Sequence, residues 1–144
     1  FICPSFFTCN LESRDENIPL YRRLKLITGV VGVVIWTDQM DEMLTFYKDI
    51  LGLSPHSERP FFVSFKFGDM RLGLGIHSQV AGQTQETHRI MINFGVEDIQ
   101  KEHERLVSKG VKFTRRPEKE DWGGWVATFN DPNGNTLQLM QLYD

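Results

Sequence analysis

The sequence predicts an α+β fold, two tandem βαβββ modules forming a curved sheet around a cavity, because one pattern of elements occurs twice in the same order. In each half an apolar strand runs into an aspartate, first Asp38 and then Asp98. A helical stripe follows and stops at a glycine, Gly52 or Gly110, and each half finishes on paired leucines, Leu72-Gly73-Leu74 and Leu137-Gln138-Leu139. Superposing these landmarks aligns the halves without displacing any element, which is the mark of an internal duplication.

Taken in order, Val30-Val31-Gly32-Val33-Val34-Ile35-Trp36 is a β-branched run long enough for one strand buried on both faces. Asp38 is expected to cap the next helix, its carboxylate accepting from the open amides of the first turn, and Asp41 and Glu42 suit the positive helix end. Met40, Met43, Leu44, Tyr47, Ile50 and Leu51 recur at three- and four-residue intervals as one apolar stripe, closed by Gly52. A short strand over 53–57, a turn at Pro60, a strand over 61–67, a Gly68-Asp69 hairpin turn and a strand over 71–77 complete the first half. The polar stretch 78–87 reads as the linker.

The second half opens with a strand over 88–96 and a helix capped by Asp98, with Ile99, His103, Leu106 and Val107 as its stripe. A strand begins at 111–114, and a long loop carrying Trp122-Gly123-Gly124 leads to a strand over 125–129. Asp131-Pro132-Asn133-Gly134 then turns the chain into a last strand over 136–142. Residues 1–28 show neither period and contain Pro4 and Pro19, so they are expected to form an N-terminal extension. Residues 29–144 are expected to be a single domain, with modules at about 29–78 and 88–143.

At 144 residues the chain is long enough to bury one core, and its 40% hydrophobic and 24% charged shares fit a globular domain rather than a disordered one. A net charge of −3, with only Arg22, Arg23 and Lys25 as a basic cluster, excludes a general field for nucleic acid. No apolar run approaches the ~20 residues needed to cross a bilayer, and 1–7 is too short and uncharged for a secretory signal, so a cytoplasmic location is expected. Cys3 and Cys9 are the only cysteines; they are expected to be free thiols, since nothing completes a Cys-rich zinc site.

Phe46-Tyr47 and Ile50-Leu51-Gly52-Leu53 after the first helix, with Phe129-Asn130-Asp131-Pro132-Asn133-Gly134-Asn135 before the last strand, give the chain its family likeness. Over residues 30–142 it resembles the glyoxalase/bleomycin-resistance/dioxygenase family, the vicinal oxygen chelate superfamily. In metal-dependent relatives the first and last strands of each half supply four ligands, typically histidines and carboxylates. Counting seven residues back from the cap aspartates gives Val31 and Met91, and the positions between the paired leucines give Gly73 and Gln138. Only Gln138 brings an oxygen, and one neutral amide cannot replace the water shell of a divalent ion, so neither a metal nor another cofactor is expected.

Side chains two apart on a strand share a face, so Val33 and Ile35 are expected to line the cavity with Val31, Asn93 with Met91, Met140 with Gln138, and Gly75 and His77 with Gly73. The two glycines are read as space for a bulky ligand, or else as a bulge or tight packing. Trp122 and Trp125, flanking two glycines, are candidates to close over a planar ligand, or else a rim residue and a core residue. His103 belongs to a packed helix face and His88 to a strand start, whereas His77 falls on the cavity face; Glu118, Glu120 and Asp121 read as a solvated loop. No nucleophilic triad or phosphate loop can be assembled.

The candidate ligand-binding residues are therefore Val33, His77, Met91, Asn93, Trp122, Trp125 and Gln138. The expected function is metal-independent binding of an aromatic or hydrophobic small molecule, cationic ones included, as in the bleomycin-resistance branch. Two alternatives stay open: an enzyme of the same superfamily, glyoxalase-like lyase or isomerase, with an absent or noncanonical metal site, and a noncatalytic assembly module. The resemblance also implies a homodimer.

Overall fold

The computed structural model describes residues 29–142. The expected N-terminal extension, with Cys3 and Cys9, lies outside them. The first module contains β1 (Gly32–Thr37), α1 (Met40–Leu44), a π-helical continuation (Thr45–Ile50), β2 (Pro55–Arg59), β3 (Phe62–Phe67) and β4 (Met70–Ile76). The second contains β5 (Met91–Gly95), α2 (Ile99–Ser108), β6 (Phe113–Lys119), β7 (Trp125–Asn130) and β8 (Thr136–Gln141).

Each module builds a four-stranded sheet, in the order β1-β4-β3-β2 and β5-β8-β7-β6. The first strand of each pairs in parallel with the last, and the remaining pairs are antiparallel. The duplication is thus one of topology: the two sheets have the same connectivity. The N-terminal module ends in a hairpin turned by Gly68, whose φ of +57 lies in the region that glycine enters at least cost.

The first helix departs from the expected cap. Gln39 occupies the N-cap without its side chain bonding to the amides of the helix, Thr37 Oγ1 accepts from the Gln39 amide at 2.9 Å, and Asp38 accepts from the Gly82 amide at 3.0 Å. Asp38 therefore ties the linker to the start of the helix instead of closing it. In the second module Asp98 does cap α2, accepting from the Lys101 amide at 3.1 Å.

Beyond Leu44 the first helix widens, and Leu51 N–H bonds to Phe46 O, five residues back, at 2.9 Å. The wider turn brings both Phe46 and Tyr47 into the core, where a regular helix would turn adjacent residues 100° apart. Gly52, at φ +77, then ends the segment.

Residues of both modules share one core. Met43, Phe46, Tyr47, Phe65 and Leu74 belong to the same buried cluster as Ile99, Leu106, Phe129 and Leu137. Phe129 is fully buried, with its ring centroid 5.0 Å from Phe113 and 6.4 Å from Phe46 of the other module. His103 packs edge-on to Phe113 at 4.5 Å, the structural position expected of it. Val107, placed on the same stripe by spacing, is 48% exposed, because the buried stripe of this helix is carried by Ile99 and Leu106.

Arg105 adds a polar tie across the modules, donating from Nη1 to Ile50 O at 3.0 Å and from Nη2 to Leu51 O at 3.1 Å while paired with Glu102 at 2.5 Å. It satisfies carbonyls that the end of the first helical segment leaves open. Arg105→Ala is expected to cost about 1–2 kcal/mol, measured as a lower midpoint in urea; an unchanged midpoint would show that water replaces these bonds without loss.

Candidate functional site

Strand register sorts the side chains onto two faces. Val33, Ile35 and Thr37 on β1 stand beside Leu72, Leu74 and Ile76 on β4, and Ile35, Leu72 and Leu74 are in the core. Gly32, Val34 and Trp36 stand beside Arg71, Gly73 and Gly75 on the opposite face, away from the helices of the described residues, whose side chains join the core with Ile35, Leu72 and Leu74. In the second sheet Met91, Asn93 and Gly95 stand beside Thr136, Gln138 and Met140 on the corresponding face.

This corrects the inward set read from the first strand. Val33 and Ile35 do not share a face with Gly73; they lie on the core side, and Val34 is the register partner of Gly73. The reason is the displaced cap. Counting back from Gln39, the residue that occupies the N-cap, leads to Gly32 instead of Val31, and a one-residue slip moves a whole strand to the other face. By that count, the positions that the family resemblance assigns to ligands become Gly32, Gly73, Met91 and Gln138.

Those residues do not fit a divalent ion. Two have no side chain, one is a thioether, and the Gln138 amide already donates from Nε2 to Thr128 Oγ1 at 3.1 Å. Among the described residues no three His, Cys, Asp or Glu side chains group closely enough to hold a metal.

The two strand glycines are also not vacant space. A Cβ at Gly73 would come within 2.6 Å of the Phe62 ring, and one at Gly75 within 2.5 Å of Trp36 and 2.9 Å of Phe62. The missing side chains are filled by rings of the same chain, which lie over the sheet as an aromatic platform. Trp36 remains 43% exposed and meets His77 edge-on at 5.2 Å. The sequence reading places Trp36 in a strand buried on both faces and Phe62 in a strand with no role assigned, so neither stands out there; the glycines opposite them are the available signal. Gly75→Ala is expected to push these rings aside and cost about 1–3 kcal/mol, detected by melting and by a shift in tryptophan emission. An unchanged emission spectrum would contradict the placement of Trp36.

A cavity of about 320 Å³ is lined by residues of both modules. Val33, Leu72, Ile92, Phe94 and Leu139 form much of its wall, Leu51 and Leu53 contribute from the end of the first helical segment, and Asn93 and Glu102 are its polar side chains. Glu102 is held in its pair with Arg105. Of the candidate ligand residues, the cavity brings together Val33 and Asn93. Met91 and Gln138 lie on the helix-free face of the second sheet, and Asn93 is the register partner of Gln138.

The remaining candidates are elsewhere. His77 follows β4, beside Trp36, with its Nδ1 accepting from the Gln79 amide at 3.2 Å. The Trp122 ring lies on the backbone of Gly124, and Trp125 packs against the core, so the two indoles do not form opposite jaws. Glu118 and Glu120, expected in a solvated loop, pair with Arg115 at 2.8 and 2.6 Å, and the strand β6 extends through Lys119.

The sequence signature before the last strand has a structural use. Asp131, 5% exposed, accepts from the Tyr47 hydroxyl at 2.9 Å, from the amides of Asn133 and Asn135 at 3.0 and 2.9 Å, and from Asn135 Nδ2 at 2.8 Å. Asn133 accepts from Thr37 Oγ1 at 2.5 Å and donates to Gln39 Oε1 at 2.8 Å. The turn of the second module thereby clasps the strand end and helix of the first. Burial pushes the Asp131 carboxyl above its ordinary value against the opposing pull of its hydrogen bonds, and burial, followed by the neighbouring carboxylate, keeps Tyr47 a neutral phenol.

This geometry agrees with the comparisons. The chain is 28% identical over 125 residues to the uncharacterized protein YraH of Bacillus subtilis, covering 78% of this chain and 98% of that one. A glyoxalase/bleomycin resistance protein/dioxygenase from Nocardioides has the same fold, with a TM-score of 0.68 and 19% identity over 87% of this chain and 92% of that one. Lactoylglutathione lyase from Agrobacterium tumefaciens has it too, with a TM-score of 0.64 and 19% identity over 81% and 96%. The family model matches residues 29–139, spanning both modules, and the chain belongs to the Glyoxalase/Bleomycin resistance protein/Dioxygenase superfamily.

Proposed function

We propose that this chain binds a small aromatic or hydrophobic molecule, cationic aromatics included, in the cavity between its modules and without a metal ion, after the manner of bleomycin-resistance proteins. The cavity wall carries the reading. It is apolar, lies within the ~300–1,000 Å³ typical of small-molecule sites, and offers Asn93 as a hydrogen-bonding point next to a strand position where metal-dependent relatives place a ligand. The donor chemistry of Gly32, Gly73, Met91 and Gln138 supports the metal-free form.

A thermal-shift screen of hydrophobic and cationic-aromatic compounds in excess chelator tests the proposal. A ligand present at about 100 times its Kd adds roughly 2.7 kcal/mol to stability, and the gain should vanish in Val33→Phe, which fills the cavity. If no compound stabilises the chain, or stabilisation survives that substitution, the cavity is not the binding site.

The proposal includes a homodimer, supported by Met91, an apolar side chain left 45% exposed on the helix-free face of the second sheet. Sedimentation at twice the chain mass would agree with it. No helix among the described residues is long and apolar enough to cross a membrane; the cytoplasm is the compartment proposed, on the sequence grounds given above.

A further inference from the structure

The helix-free face of the first sheet is sorted by charge along its strands. At one end Arg59, Phe62, Gly75 and Trp36 are successive cross-strand partners. The middle row is Ser57, Ser64, Gly73 and Val34, and the far row is Lys66, Arg71 and Gly32. The aromatic platform and the Lys66–Arg71 pair are four residues apart on β3 and on β4, about 13 Å along the strands, within the combined reach of two long cationic side chains and a small ligand.

No carboxylate belongs to these rows, in a chain whose net charge is −3. Arg59, Lys66 and Arg71 take part in none of the ion pairs seen among the described residues. Like charges directly opposite each other on antiparallel strands are unfavourable, and an anion between them removes that cost. The duplication sharpens the point. Asn130 and Thr136 stand at the matching positions of the second sheet and bond to each other at 3.4 Å, so the cationic pair is particular to the first module.

We propose that this face recognises a small aromatic carboxylate, its ring resting on Phe62 and Trp36 and its carboxylate held between Lys66 and Arg71. The arginine fork supplies paired donors to the two oxygens, and the lysine adds a point charge. This site uses none of the cavity residues, so it stands or falls separately from the binding proposed there.

Titration with naphthylacetate, followed by tryptophan emission and calorimetry, tests it, with naphthylethanol as the uncharged ring and acetate as the ringless anion. Naphthylacetate should bind saturably and more weakly as salt is raised. Lys66→Gln and Arg71→Gln should each lower its affinity about fivefold, and the double variant by about 25-fold if the two act independently. Both positions are exposed, so the melting temperature should hold. Val33→Phe should leave this binding unchanged. Naphthylethanol binding as tightly as naphthylacetate, or the double variant binding normally, would overturn the proposal; loss of binding in Val33→Phe alone would assign the anion to the cavity and overturn it as well.

Discussion

Asp131→Ala should lower stability by about 3–5 kcal/mol, because it strips the shared acceptor from several buried donors at once. The Tyr47 hydroxyl and the amides of Asn133 and Asn135 all point at this carboxylate. An unmet buried donor costs about 1–3 kcal/mol. The melting temperature should fall by more than about 10 °C, and a smaller fall would mean that water enters the clasp.

Asp131→Asn adds a test of sign. The folded carboxyl has its pKa raised, so between the ordinary and the raised value the folded chain binds more protons than the unfolded one. The contribution of Asp131 is therefore most favourable below the ordinary carboxylate pKa and declines as pH rises through the folded value. The stability difference, wild type minus Asp131→Asn, should fall with rising pH across that window and be flat above it. A difference that grows with pH there would show that the hydrogen bonds, not burial, dominate this group.

Phe129→Ala is the second large effect, at about 3–5 kcal/mol. Its ring is fully buried among residues of both modules, so the loss combines transfer of the phenyl group with a void between Phe46 and Phe113. Because one core serves both halves, unfolding in urea should remain a single transition at a lower midpoint, followed equally by tryptophan emission and circular dichroism. Two separated transitions would mean that the modules are independent. Phe129→Leu, which keeps most of the volume, should recover the greater part of the loss.

The duplicated order of elements was legible in the sequence because periodicity, glycine stops and turn residues are local signals. Gly52 and Gly110 end their helical segments where spacing put them, with φ of +77 and +89. The Asp-Pro-Asn-Gly-Asn turn was legible as a family mark, although its use as a clasp on Tyr47 and Thr37 was not, since it joins residues 84 and 96 positions apart. The face of β1 was misjudged for one concrete reason. Asp38 has the chemistry of a cap, yet the linker amide of Gly82 takes its carboxylate, and the helix starts one residue later. Long-range competition for a side chain leaves no trace in local pattern.

The platform of Trp36 and Phe62 was hidden in the same way. Strand glycines announce that something approaches closely without saying whether it is a ligand or a ring of the same chain, and here it is the ring. The cationic rows became visible only with register, because Arg59, Lys66 and Arg71 are scattered in sequence and meet only across the sheet.

Calorimetric titration of chelator-stripped, tag-free protein with Mn²⁺, Ni²⁺ and Zn²⁺ decides whether binding by this chain is independent of metal. No saturable heat is expected for any of the three ions, while a cavity ligand from the screen should bind equally well with and without chelator. A stoichiometric divalent site that weakens in Gln138→Ala or Met91→Ala would mean that the chain binds its ligand through a metal.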